Sequence, residues 1–141
     1  MDLLTAEPLD ADSLRETVSD PAFGAILIFE GVARNHFEGR PVEALEYEAY
    51  PEMVAAAFEA IRARVLASWP EVRLAMAHRV GRLVIGETSL LLAVGAPHRD
   101  QAYGASRLAL EEIKRELPVW KKEIYADGAS WKENKADDPP A

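Results

Sequence analysis

Residues 97–123, PHRDQAYGASRLALEEIKRELPVWKKE, decide how this chain is read. Tyr103, Leu110, Ile113 and Leu117 fall near one face of a helix, and Ala102, Ala105 and Ala109 allow close approach to a neighbour. Asp100 suits the N-cap, and Pro118 stops the helix. His98 and Arg99 stand at the helix entry, where free backbone N–H groups add to their pull on an anion. Lys114 comes one turn before the end, where a cation complements the helix dipole, and Lys121 and Lys122 follow the exit. If the chain folds back on itself, both cationic clusters can serve one site.

Upstream of this stretch, residues 88–96 (TSLLLAVGA) and 72–80 (VRLAMAHRV) read as strands. The short GRLVIG between them offers a segment that can pair on its own. His78 lies near a strand end, where a lone histidine is more often a hydrogen-bonded structural residue than a ligand. Residues 51–69 repeat Val54, Phe58, Ile61, Val65 and Trp69 at helical spacing, with Pro51 in the first turn and Pro70 as the stop.

Nearer the N-terminus, residues 10–18 read as a short helix capped by Asp10 or Asp12, and residues 23–32 (FGAILIFEGV) as a buried strand. Residues 42–50 (VEALEYEAY) alternate, with Val42, Ala44 and Leu45 inward, and read as a strand with one wet face. The polar stretch 33–41, ARNHFEGRP, would then connect an antiparallel pair. It carries Arg34, His36 and Arg40. Two readings stand: a solvated surface loop, or a mobile cationic flap over an anionic substrate. Asp127-Gly128 signals a turn after a short strand at 123–125.

The chain has 141 residues, enough for one domain with its own core, taken as 1–131. The charged, proline-ended KENKADDPPA, residues 132–141, reads as a disordered tail. The formal net charge is -8, which disfavours a nucleic-acid partner and points to a local cationic patch for a small anion. Cysteine is absent, so no thiolate nucleophile or disulfide framework exists, in keeping with a cytoplasmic protein. MDLLTAEPLD carries acids early, and no apolar run reaches membrane-spanning length, so no secretory signal or membrane partner is expected. His36, His78 and His98 lack metal-ligand spacing, and no metal is expected. No phosphate loop, dinucleotide fingerprint, HExxH or GxSxG occurs.

The remaining chemistry is cationic: Arg34, His36, Arg40, His98, Arg99, Lys114, Lys121 and Lys122. Arginine offers a bidentate fork for phosphate or carboxylate. A lysine crowded by other cations is a candidate proton acceptor or nucleophile. The residues alone lead to a binding site for an anionic small molecule with the option of lysine catalysis.

The strings GVARNHFEG, LEYEAYPEM, HRVGRL, PHR and IKRELPVWKKE followed by DGASW occur in one order along the chain. Together they resemble the large, catalytic subunit of molybdopterin synthase, over residues 23–131. Arg34-Asn35-His36, His98-Arg99, Lys114 and Lys121 fall on that family's charged positions. Phe37-Glu38 and Pro97 depart from its local pattern, and the acidic N-terminus has no motif to match.

The resemblance implies an α+β fold of the hammerhead type, with mainly antiparallel strands and packed helices. It implies a homodimer carrying a small ubiquitin-like sulfur-carrier subunit on each large subunit. That partner's C-terminal glycine thiocarboxylate would insert into the site. The substrate would be cyclic pyranopterin monophosphate, a pterin phosphate that receives two sulfurs to become molybdopterin. Lys114 and Lys121 would be catalytic, and Arg34, His36, His98 and Arg99 would bind substrate. No cofactor is implied, since the sulfur arrives on the partner. Two competing readings remain: a non-catalytic module that captures a ubiquitin-like tail, and a phosphate-ester hydrolase using His98, for which no acidic partner is identifiable.

Overall fold

Strand β7 (Thr88–Ala96) is the spine of the molecule, and its sequence explains why. It is apolar at nearly every position because both of its faces are covered. Leu91 and Ala93 meet Leu14 and Val18 on one side. Leu90, Leu92 and Val94 join the main core on the other. The computed structural model describes residues 3–125, and the backbone alone at 128–133.

The elements run β1 (Leu4–Thr5), α1 (Ala11–Val18), β2 (Ala25–Val32), β3 (His36–Phe37), β4 (Arg40–Ala49), α2 (Pro51–Ser68), β5 (Arg73–Arg79), β6 (Gly81–Val84), β7, α3 (Arg99–Glu116), β8 (Val119–Tyr125) and β9 (Gly128–Glu133). One sheet has the order β1-β5-β7-β2, antiparallel except where β1 lies parallel to β5. The second is centred on β4, which pairs antiparallel with β8 on one side and with β3 and β6 on the other, and β9 follows β8. The α+β architecture with mainly antiparallel strands is therefore as expected. Among the described residues no helix is long and apolar enough to cross a membrane.

The side chain of Asp10 caps α1 by accepting from the N–H groups of Asp12 and Ser13. Helices α2 and α3 pack on the opposite face of the first sheet. Val54, Phe58, Ile61 and Val65 of α2 are buried there with Ala102, Ala105 and Ala109 of α3. The two helices are clasped by Arg64, which donates to Glu112 at 2.8 Å and Glu116 at 2.6 Å. Gly104 lies under the ring of Trp69, and any Cβ there would strike the indole.

Several expectations are corrected. Strand β2 is half-buried rather than buried, because it is the sheet edge and, among the described residues, pairs only with β7. It does not pair with β4. The stretch 33–41 carries the chain from one sheet to the other and contains a hairpin, β3–β4, whose turn places Glu38 at φ 50° and Gly39 at φ 78°. The N-cap of α3 is His98, not Asp100, and the Gln101 side chain accepts from the His98 N–H at 3.0 Å. Tyr103 is 62% exposed, since at that end of the helix Ala102 and Ala105 are the buried residues. Strand β8 begins straight after Pro118 and is longer than the 123–125 expected. The Asp127-Gly128 turn falls partly on residues outside those described, although β8 and β9 pair antiparallel across it. β9 reaches Glu133, and the rest of the expected tail lies outside the described residues.

Candidate functional site

The two sheets meet where β2 ends, β4 passes and β8 begins, and a cavity of about 120 Å³ opens there. Each cation at its wall has a local reason to be there. Pro118 ends α3 just after Lys114, so the lysine sits on the helix's last full turn beside β2 and β7. Alternation along β8 puts Lys121 and Glu123 on one face and Lys122 on the other. Arg34 and His36 enter from the connection between the sheets, which Phe37 pins down by burying its ring at 4% exposure.

Lys114, Lys121, Arg34 and His36 thus line one cavity although they are up to 87 positions apart (121 minus 34). Four cation-forming side chains face one carboxylate, that of Glu123, so the cavity favours an anion. The ammonium of Lys121 also lies over the ring of Phe37, 5.8 Å from its centroid. Nδ1 of His36 is 3.0 Å from Oδ1 of Asn35, which orients the imidazole at the rim. Glu123 is 1% exposed, and its Oε2 accepts from the Tyr125 hydroxyl at 2.8 Å. Desolvation, with help from Glu123, pushes the Tyr125 phenol up to about 12, so it stays a donor.

The polar floor is neutral. Tyr47 is buried and hydrogen-bonded to Ser89, whose hydroxyl donates to the Gly31 carbonyl at 3.1 Å. Burial pushes the Tyr47 phenol up, so it too remains protonated.

Other expected site residues stand elsewhere. His98 and Arg99 are exposed at the start of α3 and do not line this cavity. Arg99 and Lys114 stand fifteen positions apart on the helix, about 22 Å of rise. Arg40 stacks on the Tyr125 ring at 3.6 Å, one step behind the cavity wall. Lys122 reaches Glu46 at 3.7 Å across the β4–β8 pair. Glu123, Tyr47, Ser89 and Phe37 were not anticipated. Glu123 was detectable, because it is two positions from Lys121 in a strand. Tyr47 was hidden by a register shift between Val42 and Ala44, which breaks the alternation of β4.

Fold and site together define an α+β protein with a small anion pocket built around two lysines. The MoaE protein family model matches residues 4–116. A molybdopterin synthase catalytic subunit 1 of Mycobacterium tuberculosis is 43% identical over 91% of this chain and 87% of its own length. The human molybdopterin synthase catalytic subunit is 40% identical over 93% of this chain and 70% of its own. The crystal structure of molybdopterin synthase from Staphylococcus aureus superposes with a TM-score of 0.89 at 37% identity, over 93% of this chain and 96% of that one. The chain belongs to the MoaE family, that of molybdopterin synthase catalytic subunits.

Proposed function

We propose that this chain transfers sulfur to cyclic pyranopterin monophosphate to form molybdopterin, taking it from the C-terminal thiocarboxylate of a small ubiquitin-like partner. The observation that carries this reading is the convergence of Lys114 and Lys121 on one cavity with Arg34 and His36. Both reactants are anions, and the cavity presents more cations than carboxylates. At about 120 Å³ it suits the end of a peptide tail and the reacting edge of a pterin rather than a whole substrate.

The thiocarboxylate sulfur attacks an electrophilic carbon of the pterin, a C–S bond forms as a C–O bond breaks, and the oxygen leaves with a proton; water then cleaves the acyl C–S bond of the resulting thioester, so that the sulfur stays on the pterin and the partner leaves as a carboxylate. Lys114 is rigidly based on α3 and serves as the general base or transient nucleophile. Lys121 stabilises negative charge on substrate or tail. Arg34 and His36 hold the phosphate at the rim.

The working assembly in this reading is a cytoplasmic homodimer with one small subunit on each large one. The dimer gives His98 and Arg99 a role. Within one chain they are too far from Lys114 to share its substrate, but a second copy can bring its own pair to the rim. The experiment is direct: thiocarboxylated partner, pterin phosphate and this protein are mixed, and the dithiolene product is measured. Product formation supports the reading. Capture of the partner tail without any product sinks it in favour of a non-catalytic binding module.

A further inference from the structure

Tyr47 lies on β4 directly opposite Lys121 of β8 and, on its other side, opposite Gly81 of β6. Residues directly opposite in an antiparallel pair share one face, with Cβ atoms about 5 Å apart. The phenol and the Lys121 ammonium therefore start from adjoining points of one wall, and both residues line the cavity. Gly81 has no side chain to offer, and the Tyr47 ring packs edge-on against the buried His78, ring centroids 4.9 Å apart. Tyr47 is 7% exposed, so its ring is held in place.

Among the described residues the cavity is lined by two hydroxyls, those of Tyr47 and Ser89. The Ser89 hydrogen is given to the Gly31 carbonyl at 3.1 Å. In the bond between Tyr47 and Ser89 the phenol is therefore the donor and the Ser89 oxygen the acceptor. Burial raises the Tyr47 pKa, and the Glu123 carboxylate adds to the rise, so the phenol keeps its proton at physiological pH. Tyr125, by contrast, donates to Glu123 and does not line the cavity.

We propose that Tyr47 is a further catalytic residue: its hydroxyl and the Lys121 ammonium form the donor pair for the oxygen that becomes negative when the thioester is cleaved. This role rests on the sulfur-transfer reading. Water adds to the thioester carbonyl, and the C=O electron pair moves onto oxygen. The oxyanion then collapses, the acyl C–S bond breaks, and its electron pair leaves with the sulfur on the pterin. Water gives up two protons, one to Lys114 as base and one to solvent as the partner's carboxylic acid ionises. At rest the Tyr47 hydrogen lies on a neutral hydroxyl oxygen. Turned about its C–O bond it meets a full negative charge, where a hydrogen bond is about twice as strong. That gain appears only as the charge develops, so it speeds the step instead of tightening the ground state.

Two measurements test it. Single-turnover reactions of wild type and Tyr47→Phe, with thiocarboxylated partner and pterin phosphate, are stopped at intervals and resolved by intact mass. In Tyr47→Phe the partner–pterin thioester should accumulate and its cleavage slow by on the order of 10²-fold, while its formation keeps the wild-type rate. Equal cleavage rates, or formation slowed as much as cleavage, overturn the role. The second measurement needs no turnover. The small partner is prepared with its terminal carboxylate replaced by a phosphonate, a tetrahedral anion like the one formed in cleavage. By calorimetry Tyr47→Phe should bind the phosphonate partner about 10-fold more weakly than wild type does, and the carboxylate partner with little change. Equal losses for both partners mark a packing role and overturn the proposal. A wild type that forms neither thioester nor product is a different result: it removes the sulfur-transfer reading, and this role with it.

Discussion

The Tyr125 hydroxyl donates to Oε2 of Glu123 at 2.8 Å, so the last residue of β8 orients the one carboxylate among the cavity's cations. Tyr125→Phe removes that donor and leaves a buried carboxylate short of a hydrogen bond. The expected cost is about 1–3 kcal/mol of unfolding free energy, read by urea denaturation. A midpoint unchanged from wild type would mean that Glu123 is held by other groups.

His78 gives a pH signature. Its pKa is about 4 in the folded chain against an ordinary value of 6.5, mainly because burial opposes the charged imidazolium. Below pH 6.5 the unfolded chain takes up a proton that the folded chain refuses. Stability from this group is therefore complete above 6.5 and falls as the pH drops towards 4. His78→Asn should flatten the curve in that window by up to about 3 kcal/mol, the equivalent of the shift. Parallel curves for the two proteins between pH 6.5 and 4 would show that the ring titrates normally.

Lys114, Lys121 and Lys122 make a graded series. Lys114→Ala should reduce single-turnover sulfur transfer by on the order of 10² to 10⁴ while the fold and partner binding persist. Lys121→Ala should also be impaired, through lost charge stabilisation. Lys122 lies on the opposite face of β8 against Glu46, and Lys122→Ala should lose little. A near wild-type Lys114→Ala, or Lys122→Ala as the slowest of the three, would reverse the assignment.

The helices were legible because their apolar period is carried by buried residues: Val54, Phe58, Ile61 and Val65 recur every three or four positions, and all four are buried. Residues 88–96 were legible as a strand, but what covers both of its faces was not. Pairing partners were the weak point. The likeness of residues 23–32 and 42–50 as neighbouring strands pointed to a hairpin, whereas long-range pairing with β7 and β8 settles where each belongs. Tyr103 was misplaced because hydrophobicity ranks it above alanine, while close helix–sheet packing selects the alanines. At the site, charge put Lys114 and Lys121 among eight candidate cations, and only the family resemblance singled them out. Their convergence depends on β8 lying beside β4, a contact between distant segments that no local pattern encodes.

The separation of Arg99 from Lys114 yields the last prediction. About 22 Å of helix lies between them, so they meet at one substrate only if a second copy supplies one of the two. Arg99→Ala should weaken turnover through the phosphate, and Lys114→Ala should stop it at the reacting carbon. In a symmetric dimer with shared sites, mixing these two variants makes heterodimers in which one site has both defects and the other has neither. After subunit exchange from an equal mixture, half of the dimers are mixed, so activity should return to about a quarter of wild type. The measurement is dithiolene formation before and after exchange, with light scattering to follow the dimer. A stable monomer, or a mixture no more active than the sum of its parts, would place His98 and Arg99 outside the sulfur-transfer site.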